Sequence, residues 1–120
     1  MSSPSTNTAI KTQGQGNLVA VVQLVSGPDV EANLLEAAQQ IERASAAGAK
    51  LVMLPESFAV FGDPQMLAHG VEASQAKKGL RLWLSKHAKA NKIWLIGGTV
   101  PCQDGVQDFT KVRAACFVYN

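Results

Sequence analysis

The sequence contains few of the residues that would build a disulfide framework or a metal site. Among its 120 residues there are two cysteines, Cys102 and Cys116, and two histidines, His69 and His87. The histidines stand apart, with no second ligand at metal spacing around either, so the sequence predicts no metal site. The chain also lacks the basic and then apolar layout of an export signal. Few cysteines and no export signal together favour a reducing, cytoplasmic compartment.

Charge and long apolar runs are also scarce. The net charge of +2 and the 17% of charged residues are too small and too scattered to indicate binding to nucleic acid or to an anionic membrane. No apolar run approaches the ~20 residues needed to cross a bilayer. What the sequence does contain is 47% hydrophobic residues, which is ample for the core of one ordinary domain.

Composition divides the chain into a short leader and a domain. Residues 1–16 are rich in Ser, Thr, Asn, Gln and Gly, which predicts a disordered leader. Residues 17–120 alternate apolar runs with segments of helical periodicity, which predicts one α/β domain. The predicted strands cover residues 17–25, 51–54, 93–100 and 111–119, and the predicted helices cover residues 30–47 and 77–91.

This alternation predicts an α/β fold of about four strands and two main helices. The first three strands are expected to be parallel, with right-handed crossovers, and the fourth to be a hairpin partner of the third. The crossover helices would lie on one face of the sheet, although the strands are apolar on both faces. The sequence therefore predicts that something else covers the second face, either further chain or a partner subunit.

The candidate functional residue lies in the stretch Leu-Val-Met-Leu-Pro-Glu-Ser-Phe, residues 51–58. The apolar run predicts a buried strand, and Pro55 removes a backbone donor, so regular pairing should stop there. Glu56 then falls just past the carboxyl end of a strand, where open α/β folds bind ligands. Beside Phe58, its carboxylate is expected to be desolvated. The alternative is that Pro55 and Glu56 merely open a helix, with the carboxylate near its N-terminal dipole.

A glycine pair at the end of the third predicted strand is the second feature of interest. Gly97 and Gly98 allow another backbone or a ligand to approach closely. They are not a phosphate loop, because neither the GxGxxG nor the Walker spacing accompanies them. A doubly wound nucleotide-binding domain is therefore the weakest of the possible interpretations.

Together these segments resemble the nitrilase superfamily of carbon–nitrogen hydrolases. The likeness is carried by Val-Ala-Val-Val-Gln-Leu (19–24), the 51–58 stretch, Trp-Leu-Ile-Gly-Gly-Thr-Val-Pro (94–101) and Lys-Val-Arg-Ala-Ala-Cys (111–116). It covers about residues 18–119. The resemblance implies the N-terminal half of an α-β-β-α sandwich, an enzyme that is usually dimeric, and chemistry without a cofactor.

The resemblance also implies a catalytic set of Glu, Lys and Cys that works through a thioester. Glu56 matches the first member, the general base. The family's lysine and cysteine motifs are absent, since Lys111 precedes the fourth predicted strand, and Cys102 in a turn and Cys116 inside a strand match neither. The chain therefore looks like the N-terminal part of a carbon–nitrogen hydrolase domain, and this segment alone is expected to be inactive.

Within the superfamily the chain looks most like the amidase branch, including deaminated-glutathione amidases and ω-amidases. The resemblance thus implies hydrolysis of the C–N bond of a small carboxamide. A hypothesis of a different class remains open: a non-catalytic module that binds a partner through its uncovered sheet face.

Overall fold

The structure is a computed structural model, and it describes residues 7–11, 17–61, 65–105 and 107–120. These residues form seven strands and three helices. The strands are β1 (Asn7–Lys11), β2 (Val19–Gln23), β3 (Leu51–Met53), β4 (Trp94–Ile96), β5 (Val100–Cys102), β6 (Arg113–Ala115) and β7 (Val118–Tyr119). The helices are α1 (Val30–Ala46), α2 (Gln65–Ala73) and α3 (Gly79–Asn91). None of the described helices is long and apolar enough to cross a membrane.

Five of the strands form the central sheet, in the order β1-β2-β3-β4-β7. The three inner strands β2, β3 and β4 are parallel, and the edge strands β1 and β7 are antiparallel to their neighbours. The remaining strands, β5 and β6, pair with each other in a separate antiparallel sheet. The predicted α/β fold with parallel inner strands is confirmed.

Helix α1 forms where the sequence predicts it because a residue that favours a helix boundary lies at each of its ends. Asp29 is the N-cap, and its side chain accepts a hydrogen bond from the Ala32 backbone N–H at 3.2 Å. Gly48 follows the helix with φ +100°, the left-handed conformation that glycine adopts without a steric penalty. Between them, Ala37, Ile41 and Ala44 are fully buried against the core.

The central sheet has one helix-covered face and one open face. Residues on the helix-covered face are at most 1% exposed: Ala20, Val22, Val52 and Leu95. They share a hydrophobic core with residues of α1 and α3. Five apolar residues on the open face are 40–53% exposed: Val19, Val21, Met53, Trp94 and Val118. The strands are therefore apolar on both faces, as predicted.

The prediction that residues 1–16 are disordered is wrong for Asn7–Lys11. These residues form β1 and pair with all five residues of β2. The unpaired backbone groups along the edge of β2 explain the difference, because a polar segment can satisfy them through its own backbone whatever its side chains are. Residues 1–6 and 12–16 lie outside the described residues.

The prediction of about four strands and two main helices was too low, partly because it missed α2. This helix has no acidic residue in its first turn and no basic residue in its last turn, so it carries no charge signal at either end. Gly70 also lowers its intrinsic helix propensity. The glycine is needed by the packing, because a side chain at Gly70 would collide with Val112.

The third and fourth predicted strands each divide into two. The third becomes β4 and β5, which belong to different sheets, and the fourth becomes β6 and β7. The break lies at Gly98, whose φ of +59° turns the chain out of the first sheet. Cys102 therefore lies in strand β5 and not in a turn, and Cys116 lies between β6 and β7 and not inside a strand.

Candidate functional site

Glu56 lies beyond the carboxyl end of β3, as predicted, but pairing does not stop at Pro55. The Leu54 N–H donates to the Ile96 carbonyl at 2.9 Å, and Glu56 then forms an isolated parallel bridge with Thr99. The pairing Met53–Ile96 in the ladder and the bridge Glu56–Thr99 keep the same register. The ladder thus skips Pro55, which has no N–H, and resumes one residue later.

The alternative that Pro55 and Glu56 open a helix is wrong. Residues 56–59 form a bridge, a turn and bends, and the next described helix, α2, begins at Gln65. Ser57 has a φ of +51°, in the left-handed region that a helix start does not use. The carboxylate of Glu56 therefore does not lie in the first turn of a helix.

Glu56 lines a cleft of ≈ 340 Å³ at this end of the sheet. Its other lining residues are Leu24, Ser26, Ser57 and Phe61. The cleft thus combines one carboxylate, two hydroxyl groups and two apolar side chains. Such a mixture suits a small ligand with one polar reacting group, because a few placed polar groups orient a ligand that apolar walls hold.

The expected desolvation of Glu56 by Phe58 is wrong for this chain. Phe58 is fully buried, with its ring 5.6 Å from the ring of Trp83, whereas Glu56 is exposed. The left-handed turn at Ser57 separates the two side chains, so the aromatic ring enters the core and the carboxylate stays at the surface. Among the described residues, no hydrogen bond or ion pair holds the Glu56 carboxylate.

The loop that carries Glu56 is fastened to the loop after β2 by Asn33 and Ser26. The Asn33 side-chain amide donates to the carbonyl oxygens of Gly27 and Ala59, both at 2.9 Å, and accepts from the Gly27 N–H at 2.9 Å. The Ser26 hydroxyl donates to the Phe58 carbonyl at 2.9 Å. Asn33 is 7% exposed, so these bonds form in a place where an unpaired amide would be costly.

A larger depression of ≈ 570 Å³ lies on the outer surface of α1, away from the ends of the strands. It is lined by residues of that helix alone: Glu36, Gln39, Gln40, Glu42, Arg43 and Ala46. A single convex helix cannot enclose a ligand, so the smaller cleft at Glu56 is the better candidate site despite its volume.

The two cysteines and Lys111, which match no catalytic motif of the family, lie away from the cleft. Cys102 is 2% exposed and its thiol lies 3.7 Å from the Ala73 carbonyl oxygen. Cys116 is exposed, and Lys111 forms an exposed ion pair with Asp108 at 3.9 Å. Neither cysteine nor the lysine lines the cleft. Within the described part of the chain, no group of three His, Cys, Asp or Glu side chains is arranged to hold a metal ion.

His87 lies on α3 and packs beside Trp83, with 4.1 Å between the ring centroids. Burial lowers the pKa of His87 below its usual 6.5, and the Glu42 carboxylate on α1 offsets part of that lowering. His87 does not line the Glu56 cleft. It is a residue of the helix layer.

Sequence reasoning found Glu56 but not the residues around it. Ser26, Ser57 and Phe61 line the cleft, and Asn33 and Thr99 hold its loops. The only signal for them is position, because each lies in or beside a loop that follows the carboxyl end of a parallel strand. Composition alone does not separate these hydroxyls and amides from those of any surface turn.

The sequence and the fold of this chain both match those of a known protein family. The sequence model of the family described as "Carbon-nitrogen hydrolase" matches residues 18–118, which is most of the chain. The chain therefore belongs to the carbon–nitrogen hydrolase family. The resemblance to the nitrilase superfamily is confirmed.

Two individual relatives show the same likeness. The chain is 34% identical over 102 residues to Nitrilase homolog 2 of Dictyostelium discoideum, covering 84% of this chain and 30% of that protein. It also resembles the crystal structure of Saccharomyces cerevisiae Nit3, a member of branch 10 of the nitrilase superfamily, with a TM-score of 0.69 and 35% identity. That match covers 85% of this chain and 39% of the yeast chain. The match thus covers only 30% to 39% of the length of these relatives.

Proposed function

We propose that the protein hydrolyses the C–N bond of a small carboxamide, with Glu56 as the general base. One observation carries the proposal: in a member of the carbon–nitrogen hydrolase family, a carboxylate lies at the carboxyl end of an inner parallel strand and lines a cleft. Chemistry in open α/β folds is concentrated at such strand ends. The hydroxyls of Ser26 and Ser57 beside Glu56 provide polar partners for an amide.

Glu56 would act twice in the reaction. It takes the proton of a cysteine thiol, and the thiolate attacks the amide carbon while a lysine stabilises the oxyanion. The tetrahedral intermediate collapses to a thioester, and the leaving nitrogen takes the proton from Glu56 and departs as ammonia or an amine. Glu56 then removes a proton from water, whose attack on the thioester releases the carboxylic acid and the thiol. The lysine and the cysteine would come from residues outside this 120-residue sequence.

The narrower substrate proposal is an ω-amide of a small α-keto acid, or deaminated glutathione. The support is the likeness of the 51–58 stretch and of the Gly-Gly-Thr-Val-Pro stretch to the amidase branch of the superfamily. The walls that would select among amides are only partly formed by Leu24 and Phe61.

The test is ammonia release by the full reading frame that contains this chain. Glu56→Gln cannot accept the thiol proton and should lower kcat/KM by about 10²–10⁴-fold. Glu72→Gln, the same change at an exposed position on α2, should leave the rate unchanged. A Glu56→Gln enzyme as active as the unmodified one would reject the role of Glu56.

A second candidate function is that of a non-catalytic module that binds a partner through the open face. It is favoured by the five apolar residues that are 40–53% exposed on one side of the sheet. Soluble monomers rarely expose apolar patches larger than roughly a few hundred Å². The partner would be another apolar sheet surface, because two flat sheets pack face to face about 10 Å apart.

Light scattering and thermal unfolding of the 120-residue chain test the module. If the open face is a binding surface, the chain should associate with itself or aggregate. A monomeric chain that unfolds cooperatively would reject the module.

A further inference from the structure

The residue after Glu56 is held in an unfavourable backbone conformation. Ser57 has a φ of +51°, and it is one of two non-glycine residues with positive φ in the described part of the chain. The left-handed region crowds the Cβ of an ordinary residue, and such residues persist only where their surroundings over-determine them. The contacts that hold Ser57 in this conformation therefore act directly beside the candidate general base.

Thr99 holds Ser57 with both of its acceptor groups. The Ser57 N–H donates to the Thr99 hydroxyl oxygen at 3.0 Å and to the Thr99 carbonyl oxygen at 3.1 Å. The bridge between Glu56 and Thr99 keeps the two backbones in register at the same point. Thr99 therefore accepts both hydrogen bonds that the Ser57 N–H donates.

Gly98 brings Thr99 close enough to do this. Its φ is +59°, and a side chain at this position would collide with the Pro55 carbonyl oxygen. The backbones of the two strand ends therefore touch at Gly98 and Pro55, one residue before the bridge. Gly98, the second residue of the glycine pair, thus allows the close approach of another backbone.

The opposite side of the loop is anchored by different groups. Phe58 and Ala59 are fully buried, and their carbonyl oxygens accept from Ser26 and Asn33 at 2.9 Å. Residues 57–59 are thus fixed on one side by Thr99 and on the other by the loop after β2. The side chain of Glu56 has no such anchor, since it is exposed and no described residue bonds to its carboxylate.

We propose that Thr99 is a positioning residue for Glu56. Its hydroxyl and carbonyl hold Ser57 in the left-handed conformation, and that conformation aims the Glu56 side chain into the cleft while Phe58 enters the core. A carboxylate without contacts of its own can be directed only through its backbone, and Thr99 is the group that fixes that backbone. The inference rests on the proposed function, because it assigns Thr99 a role in the chemistry of Glu56.

The substitution Thr99→Val tests the proposal, because valine keeps the shape of threonine and removes the hydroxyl acceptor. In the full reading frame, kcat for ammonia release should fall by about 10- to 100-fold with a smaller change in KM, as misplaced catalytic groups typically cause. Thr99→Ser keeps the hydroxyl and should restore most of the lost rate. Thr110→Val is the matched control, because Asp108, an exposed residue, is the only described partner of the Thr110 hydroxyl.

Amide hydrogen exchange provides a readout that general destabilisation would not produce. Thr99→Val should speed exchange at the Ser57 amide by about tenfold or more while the amides of β2 and β3 keep their rates, because the opening is local. An equal acceleration throughout the sheet would mean a structural role only and would overturn the proposal. If Thr99→Val does not fold, the unmodified protein still decides, since a Ser57 amide without protection also overturns it.

The outcomes separate this inference from the proposed function. If Glu56→Gln is inactive while Thr99→Val keeps full activity and a protected Ser57 amide, the hydrolase stands and the positioning role is wrong. If Glu56→Gln is fully active, the proposed function is wrong, and the positioning role fails with it. If both variants lose activity, and faster exchange in Thr99→Val is confined to Ser57, the result supports both the proposed function and the positioning role of Thr99.

Discussion

On one face of the central sheet, Ala20, Val52 and Leu95 are fully buried beneath α1 and α3, whereas on the other face Val21, Met53 and Trp94 are 40–51% exposed. Both sets are apolar, and they alternate along the same three strands. The apolar composition of both faces therefore favours the burial of both, but only the tertiary structure shows which of the two is buried.

The largest expected difference in stability is between two variants of β2, one with a lysine on the buried face and one with a lysine on the open face. Val22 is 1% exposed, so Val22→Lys buries an unpaired ammonium at a cost of several kcal/mol, a large part of the ~5–15 kcal/mol that stabilises a domain. We expect this variant to be unfolded by circular dichroism. Val21 is 47% exposed, and Val21→Lys should leave the free energy of unfolding nearly unchanged while it reduces self-association.

Light scattering measures the self-association of Val21→Lys, and circular dichroism shows whether it folds. If Val21→Lys unfolds the chain as Val22→Lys does, the open face is not open in solution. That result would mean that the face is covered even in the 120-residue chain.

The next largest difference is between Leu95 and Trp94 in β4. Leu95 is fully buried, so Leu95→Ala should lower the free energy of unfolding by about 2–5 kcal/mol. Trp94 is 51% exposed, and Trp94→Ala should cost less than about 1 kcal/mol although it removes a larger side chain. Urea unfolding followed by circular dichroism measures both. A larger loss for Trp94→Ala would contradict the assignment of the faces.

The elements that the sequence predicted correctly are those with their own local signals. The α1 helix has an N-cap at Asp29 and a glycine at Gly48, and β3 is a short apolar run that ends near a proline. Glu56 could be placed because it follows that run directly. These signals involve neighbouring residues in sequence, so no knowledge of the tertiary structure is needed to interpret them.

The features that the sequence did not predict depend on contacts between distant residues. The division of the last two predicted strands depends on Gly98 turning the chain, and β1 depends on the free edge of β2. The exposure of Glu56 depends on the conformation of Ser57, which Thr99 holds from 42 residues away. Such contacts leave no periodic trace in one sequence.

A third prediction concerns α1, which covers the buried face. Asp29→Ala removes the hydrogen bond to the Ala32 N–H and should lower the free energy of unfolding by about 1 kcal/mol. Asp29→Asn keeps an acceptor at the same position and should lose much less. Thermal unfolding of the two variants compares them directly, and equal losses would show that the cap does not contribute.

The smallest expected effect is the pH dependence contributed by His87, on the helix that covers the other half of the buried face. Burial lowers the pKa of His87 in the folded chain below the 6.5 of an exposed histidine, and Glu42 offsets part of the lowering. As the pH falls below about 6.5, the unfolded chain therefore binds the proton first, and stability declines until the folded-state pKa is passed. Because the imidazole is only partly buried, the loss should be smaller than the preceding effects.

The measurement is the urea midpoint at pH 7.5 and at pH 5.5, compared between the unmodified chain and His87→Gln. Carboxylates titrate in both proteins, so the difference between their pH dependences isolates the imidazole. We expect the unmodified chain to lose more stability on acidification than His87→Gln. Glu42→Gln should enlarge that loss, because it removes the charge that raises the pKa of His87. Equal pH dependence in the unmodified chain and His87→Gln would contradict the burial of the imidazole between α1 and α3, because an imidazole in water has the same pKa in the folded and the unfolded chain.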